Sequence, residues 1–108
     1  MRLQNNVSIV TGGSRGIGYA VADAFLREGA KVVLCGSRSE TAEQAADALR
    51  RTHPRAALLP LGVDVANEAA VAALVQAALA EWGRIDILVN NAGVTAAGPL
   101  FDTTDEAF

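Results

Sequence analysis

Four residues, Thr11, Gly12, Gly16 and Gly18, stand in the run Thr11-Gly12-Gly13-Ser14-Arg15-Gly16-Ile17-Gly18. Their spacing is that of a backbone shaped to meet phosphate. Gly12 permits a sharp exit from a preceding strand, and Gly16 lets the main chain approach a pyrophosphate. Gly18 lets the following helix pack close to a sheet. The helix that opens here offers free N–H groups and a positive dipole end to phosphate oxygens. The candidate contacts of the run are therefore Gly12, Ser14, Arg15, Gly16, Ile17 and Gly18. The alternative, a merely flexible turn, leaves three glycines with three separate geometric tasks unexplained. No Gly-Lys-Ser/Thr follows, which excludes a P-loop.

Other residues suit the remaining parts of a dinucleotide. Asp64, followed by Val65, lies at a strand end and can accept a hydrogen bond from an adenine amino group. It can instead cap the helix just downstream. In Asn90-Asn91-Ala92-Gly93 the amides can tie a strand end to its neighbours. Ala92 and Gly93 are small, as a backbone lying against a flat ring requires. At the end of the second strand, an acidic residue would grip the two ribose hydroxyls of NAD. Here that slot is Gly36, within Cys35-Gly36-Ser37-Arg38. No carboxylate stands there to repel a 2′-phosphate. Arg15 and Arg38 can each offer a planar guanidinium fork, and Ser37 a hydroxyl. The cofactor expected is NADP. The competing reading of Arg38 is a solvated loop charge.

The elements that must position these residues follow from periodicity. Val7-Ser8-Ile9-Val10 reads as a short buried strand. Ile17, Ala20, Val21, Ala24 and Phe25 share one face of a helix that Gly29 ends with a left-handed cap. Residues 31–35 make a second buried strand. Residues 40–52 make a helix with Ala42, Ala45, Ala46 and Leu49 inward, stopped by His53-Pro54. Residues 57–63 read as a third strand, with a bulge or sheet edge expected at Pro60. Asn67 can cap a third helix, with Glu68 in its first turn. That helix turns Val71, Leu74, Val75, Ala78, Leu79 and Trp82 inward and ends at Gly83. Residues 85–89 form the fourth strand, residues 95–104 a loop, and Thr104 opens a further helix. Apolar strands alternating with amphipathic helices imply an α/β fold. It is a Rossmann-type parallel sheet with helices on both faces, in the order β-α-β-α-β-α-β of an N-terminal half. Residues 1–108 read as one dinucleotide-binding domain.

Composition narrows the classes. The chain has 108 residues, 51% hydrophobic, with a formal net charge of −3 and no basic run. Disorder and nucleic-acid binding are disfavoured. No apolar run reaches a membrane span, and the start shows no signal peptide. One cysteine, Cys35, allows no internal disulfide and suits a reducing cytoplasm, where it serves as a small core residue.

With these residues in view, the chain resembles the short-chain dehydrogenase/reductase family. The family writes its turn Thr-Gly-x-x-x-Gly-x-Gly, matched by Thr11, Gly12, Gly16 and Gly18. Asp64-Val65 and Asn90-Asn91-Ala92-Gly93 also agree, with Val89 and Val94 flanking the latter. The run Thr11 to Gly18 with Gly29-Ala30-Lys31-Val32-Val33 is most similar to 3-oxoacyl-[acyl-carrier-protein] reductases. The resemblance implies adenine contact at Asp64 and Val65, and cofactor contact at Asn91, Ala92 and Gly93. The Asn90 amide is read as structural. It also implies hydride transfer from NADPH to a small carbonyl substrate such as a 3-oxoacyl thioester, in a homo-oligomer. The family's catalytic serine and Tyr-x-x-x-Lys pair are not in these 108 residues. Tyr19 is followed four positions on by Asp23, the lone Lys31 starts a strand, and His53 sits in a loop as a surface residue. No catalytic residue and no metal ligand is named. The 108 residues alone are expected to bind weakly and turn nothing over. The alternative is a stand-alone half-Rossmann nucleotide-binding module.

Overall fold

The structure, a computed structural model, describes residues 3–12 and 16–90. The elements are β1 (Val7–Val10), α1 (Gly16–Arg27), β2 (Lys31–Gly36), α2 (Ser39–Thr52), β3 (Leu58–Gly62), α3 (Glu68–Trp82) and β4 (Ile87–Val89). All strand pairs are parallel, in the order β3-β2-β1-β4. Along β2 the side chains alternate between two cores. Val32 and Leu34 pack with Ala22 and Leu26 of α1 and Ala45, Ala46 and Leu49 of α2. Val33 and Cys35 pack with Leu74 and Ala78 of α3. A strand covered on both faces has no solvent side, so its sequence reads as a continuous apolar run. Each large side chain buried this way contributes about 1.5–3 kcal/mol relative to exposure. No helix among the described residues is long and apolar enough to cross a membrane.

Local chemistry explains the boundaries. α1 ends in a Schellman arrangement: Gly29, at φ 89°, donates to Leu26 O and Ala30 donates to Phe25 O. α2 buries Ala42, Ala45, Ala46 and Leu49 as its spacing predicts, and the His53 N–H donates back to Leu49 O at 2.8 Å. The Asn67 side chain accepts from Ala70 N at 3.1 Å and caps α3, which closes on Gly83. Pro60 lies in the edge strand β3, paired in regular register with Leu34 and without a bulge. An edge strand has one side on which a missing N–H costs nothing.

Several expectations are corrected. The buried face of α1 is Gly18, Ala22 and Leu26; Tyr19, Val21 and Phe25 are half-buried, whereas Ile17, Ala20 and Ala24 are exposed. Alanines at 20, 22 and 24 fit more than one helical phase, and close approach to the sheet selects the phase that turns the smallest residue, Gly18, inward. On α3, Leu79 is exposed, because α3 is apolar nearly all round and its pattern does not fix one face. β4 starts at Ile87, not Ile85. Before it, Asp86 and Val7 are tied reciprocally, Asp86 N to Val7 O and Val7 N to Asp86 Oδ2, each at 2.8 Å. Arg84 holds the same carboxylate at 2.6 Å and, with the Val7 N–H, keeps it below the usual carboxylate range. His53 is half-buried, not fully solvated: its side chain is 15% exposed and meets Asp23 Oδ1 of α1 at 2.6 Å.

Candidate dinucleotide site

In a parallel sheet every loop that follows a strand emerges at the same edge. The order β3-β2-β1-β4 reverses direction beside β1, because β2 lies on one side of it and β4 on the other. Dinucleotides bind in the crevice outside the strand ends at such a switch point. The loops after β1, β2, β3 and β4 carry Gly12, Ser37-Arg38, Asp64-Val65 and Asn90 respectively. The topology therefore brings these sequence-predicted residues to one edge of the sheet.

Nearest the switch point, Gly12 and Gly16 both adopt left-handed φ, 63° and 62°. A side chain at either would strain the backbone. A Cβ built on Gly16 meets no heavy atom within 4 Å, so conformation, not packing, requires glycine there. The start of α1 is open: Gly16 is exposed and Ile17 is 73% exposed, while Gly18 is buried against the sheet. The N–H groups of a helix start and its positive dipole end suit a bound pyrophosphate. Ser14 and Arg15 lie outside the described residues, as do Asn91, Ala92 and Gly93.

Thr11 joins the two strands of the crevice. Its N–H donates to Val89 O at 3.0 Å, and its hydroxyl lies 3.2 Å from Val89 O and 3.3 Å from Asn90 Oδ1. This tie between β1 and β4 was carried in the sequence by the first position of the glycine motif. It agrees with the structural reading of Asn90.

At the other side, Gly36 ends β2 with no side chain. Arg38 and Ser37 are exposed and line an open cleft of about 460 Å³. Tyr19 of α1 and Thr41, Gln44, Ala45 and Ala48 of α2 complete its walls. Sequence reasoning did not assign Tyr19, Thr41 or Gln44 to the site. Their signal in the sequence was their place on the first two turns of α1 and α2. The cleft is lined by the Arg38 guanidinium and the Ser37 hydroxyl, the Thr41 hydroxyl being engaged with Arg38 O, and by no acidic side chain, a donor set that suits an anionic group. The residues present thus fit the adenosine end of a dinucleotide.

Asp64 is exposed, and its Oδ1 accepts from Ala66 N at 3.0 Å in an Asx turn. Its backbone carbonyl accepts from Asn67 N. The helix cap is Asn67, so the capping alternative for Asp64 does not hold; Val65 is half-buried beside it. Cys35 is buried, and desolvation pushes its thiol up to about 12, so it acts as a core residue. No group of three or more metal-ligating side chains occurs among the described residues.

Comparison with known proteins agrees with this geometry. The chain is 42% identical over 108 residues to a 3alpha-hydroxysteroid dehydrogenase of Mediterraneibacter gnavus, covering 100% of this chain and 43% of that one. It is 42% identical over 104 residues to a 3-oxoacyl-[acyl-carrier-protein] reductase of Chlamydia trachomatis, covering 96% and 42%. Among solved structures, the 3-ketoacyl-(acyl-carrier-protein) reductase of Brucella melitensis complexed with NADH superposes with a TM-score of 0.76 at 39% identity. That match covers 85% of this chain and 36% of the other. A hydroxysteroid dehydrogenase of Escherichia coli gives a TM-score of 0.80 at 32% identity, covering 86% and 39%. The chain spans about 40% of the length of these curated relatives. Residues 6–108 match the family model described as short chain dehydrogenase. With the glycine turn, the strand order and the switch-point crevice in agreement, the chain belongs to the short chain dehydrogenase family and has a Rossmann-type fold.

Proposed function

We propose that this chain holds NADP(H) for a carbonyl reductase whose substrate is a ketone, with a 3-oxoacyl thioester as the leading candidate. The observation that carries the reading is the end of β2. Gly36 leaves the acid slot without a carboxylate, and Arg38 and Ser37 stand exposed on the adjoining cleft. Arg38 forms no hydrogen bond or ion pair through its side chain among the described residues, so its guanidinium is available to a phosphate. In this reading the pyrophosphate lies over Gly12, Gly16 and the start of α1, with Ser14, Arg15, Ile17 and Gly18. The adenine meets Asp64 and Val65, and the nicotinamide side runs along Asn91, Ala92 and Gly93. NADPH supplies the hydride. The assembly is a homo-oligomer acting on a small-molecule carbonyl.

A second reading applies to the 108 residues taken alone: binding without turnover. Hydride transfer requires a ring held in near-attack geometry and a proton donor with a suitable pKa. Tyr19 has Asp23 four positions on instead of lysine. Lys31 begins β2 at the opposite edge of the sheet, and His53 is engaged with Asp23.

A relative solved with NADH makes NAD the direct rival, so both cofactors must be titrated. The wild type is expected to bind NADP+ more tightly than NAD+. Arg38→Ala is expected to weaken NADP+ by roughly 1.5–3 kcal/mol, about ten- to hundredfold, with little change for NAD+. Equal wild-type affinities, or an NADP+ affinity untouched by Arg38→Ala, would overturn the proposal.

A further inference from the structure

We infer that Gly62, at the end of β3, is a positioning residue that sets cofactor selectivity by fixing the Arg38–Ser39 peptide. The inference rests on the proposed NADP(H) reading. Gly62 pairs in register with Gly36 across the β2–β3 ladder, and the next residue, Val63, donates its N–H to Gly36 O at 2.8 Å. Neither glycine has a left-handed φ, so neither is demanded by its own backbone conformation. What demands them is close approach. A Cβ on Gly62 would lie 2.2 Å from Ser39 N, 2.7 Å from Arg38 C and 2.8 Å from Ser39 Cα. All three are backbone atoms, which no rotamer change can move. A Cβ on Gly36 would lie 2.9 Å from Thr41 Oγ1, 3.1 Å from Ala42 N and 3.3 Å from Arg38 O. The two paired glycines thus form a saddle on which the first turn of α2 sits.

Arg38 occupies the N-cap position of that turn and makes no side-chain cap bond. Its carbonyl accepts instead from the Thr41 hydroxyl at 2.9 Å and from Ala42 N at 3.1 Å. Arg38 is therefore held at its main chain from above by α2 and from below by Gly62, which leaves its side chain free for the cleft. A methyl group at position 62 must lift Ser39 N from 2.2 Å to at least the 3.4 Å of ordinary contact. That is a shift of about 1.2 Å at the peptide bearing the guanidinium. A bidentate fork loses its geometry over such a distance. NAD lacks the 2′-phosphate, so its affinity does not depend on this contact. The same saddle has a second consequence: a carboxylate introduced at position 36 would strike the first turn of α2, so Gly36→Asp does not by itself install an NAD-type ribose clamp.

The test titrates NADP+ and NAD+ calorimetrically against the full chain as wild type, Gly62→Ala, Arg38→Ala and the double variant, with a melting curve for each. Gly62→Ala is expected to weaken NADP+ about tenfold, the equivalent of one charge-assisted contact, and to leave NAD+ within about twofold. In the Arg38→Ala background it should cost nothing further for NADP+, because both changes remove one interaction. Gly36→Ala meets the Thr41 hydroxyl before any backbone atom. It is the milder variant, and if Gly62→Ala does not fold it is read by the ratio of its NADP+ to NAD+ losses, which should exceed one and return to one in the Arg38→Ala background. Equal weakening of both cofactors, or additive losses in the double variant, would reduce Gly62 to a merely structural residue and overturn the inference. A wild type without NADP+ preference that ignores Arg38→Ala would sink the underlying reading instead.

Discussion

Cys35 shows how a residue's chemistry follows from its address. It lies in β2 with its side chain in the α3-side core, beside Ile9, Val33 and Leu74, and burial raises its thiol to about 12. A group whose pKa is raised by folding contributes stability that is intact below its ordinary value, 9.0, and is lost as pH rises toward 12. The protein is therefore expected to lose stability with increasing pH above about 9, with Cys35→Ala flattening that slope. The native thiol should also resist a disulfide reagent at pH 8 and react on unfolding. Rapid native labelling would show that the strand is not packed as described. Residues whose function depends on near neighbours in sequence were legible from the sequence: the glycine turn, the Asn67 cap, the Gly29 terminus. His53 was not, because its partner Asp23 lies thirty positions away on another helix and no local pattern announces that pairing.

Elements were legible in proportion to how sharply their sequence separates two faces. α2 has charged residues on one side and Ala42, Ala45, Ala46 and Leu49 on the other, and its inward face was read without error. α1 and α3 carry alanine on nearly every side, so their existence and ends were clear while their rotational phase was not. The site suffered the same loss. Its glycine turn and strand ends were read directly, but the walls formed by Tyr19, Thr41 and Gln44 depend on the angle at which α1 and α2 meet the sheet. The cap of α3 provides a test at this scale. Asn67 Oδ1 satisfies the Ala70 N–H, one of the orphan donors of the first turn. Asn67→Ala should cost about 1 kcal/mol, read as a lower urea midpoint at unchanged slope, and Asn67→Ser or Asn67→Asp should restore most of it. No change on Asn67→Ala would mean that solvent serves that donor equally well.

For the molecule as a whole, the sheet order places β4 at an edge among the described residues, with Ile87, Leu88 and Val89 half-buried. An apolar strand with an unpaired ladder recruits another strand. The 108 residues expressed alone are therefore expected to self-associate with rising concentration in sedimentation velocity; a concentration-independent monomer with a sharp two-state melt would show that this edge is protected. At the scale of the whole molecule, the proposed function places NADP(H) at the C-terminal edge of the sheet, with its phosphates divided between the start of α1 and the loop after β2. The most direct test is an experimental structure of the full chain with NADP+. The pyrophosphate is expected against Gly12, Gly16 and the first turn of α1, and the 2′-phosphate within hydrogen-bond distance of Arg38 and Ser37 beside Gly36. A cofactor bound with its 2′-phosphate turned away from Arg38, or bound away from this edge, would contradict it.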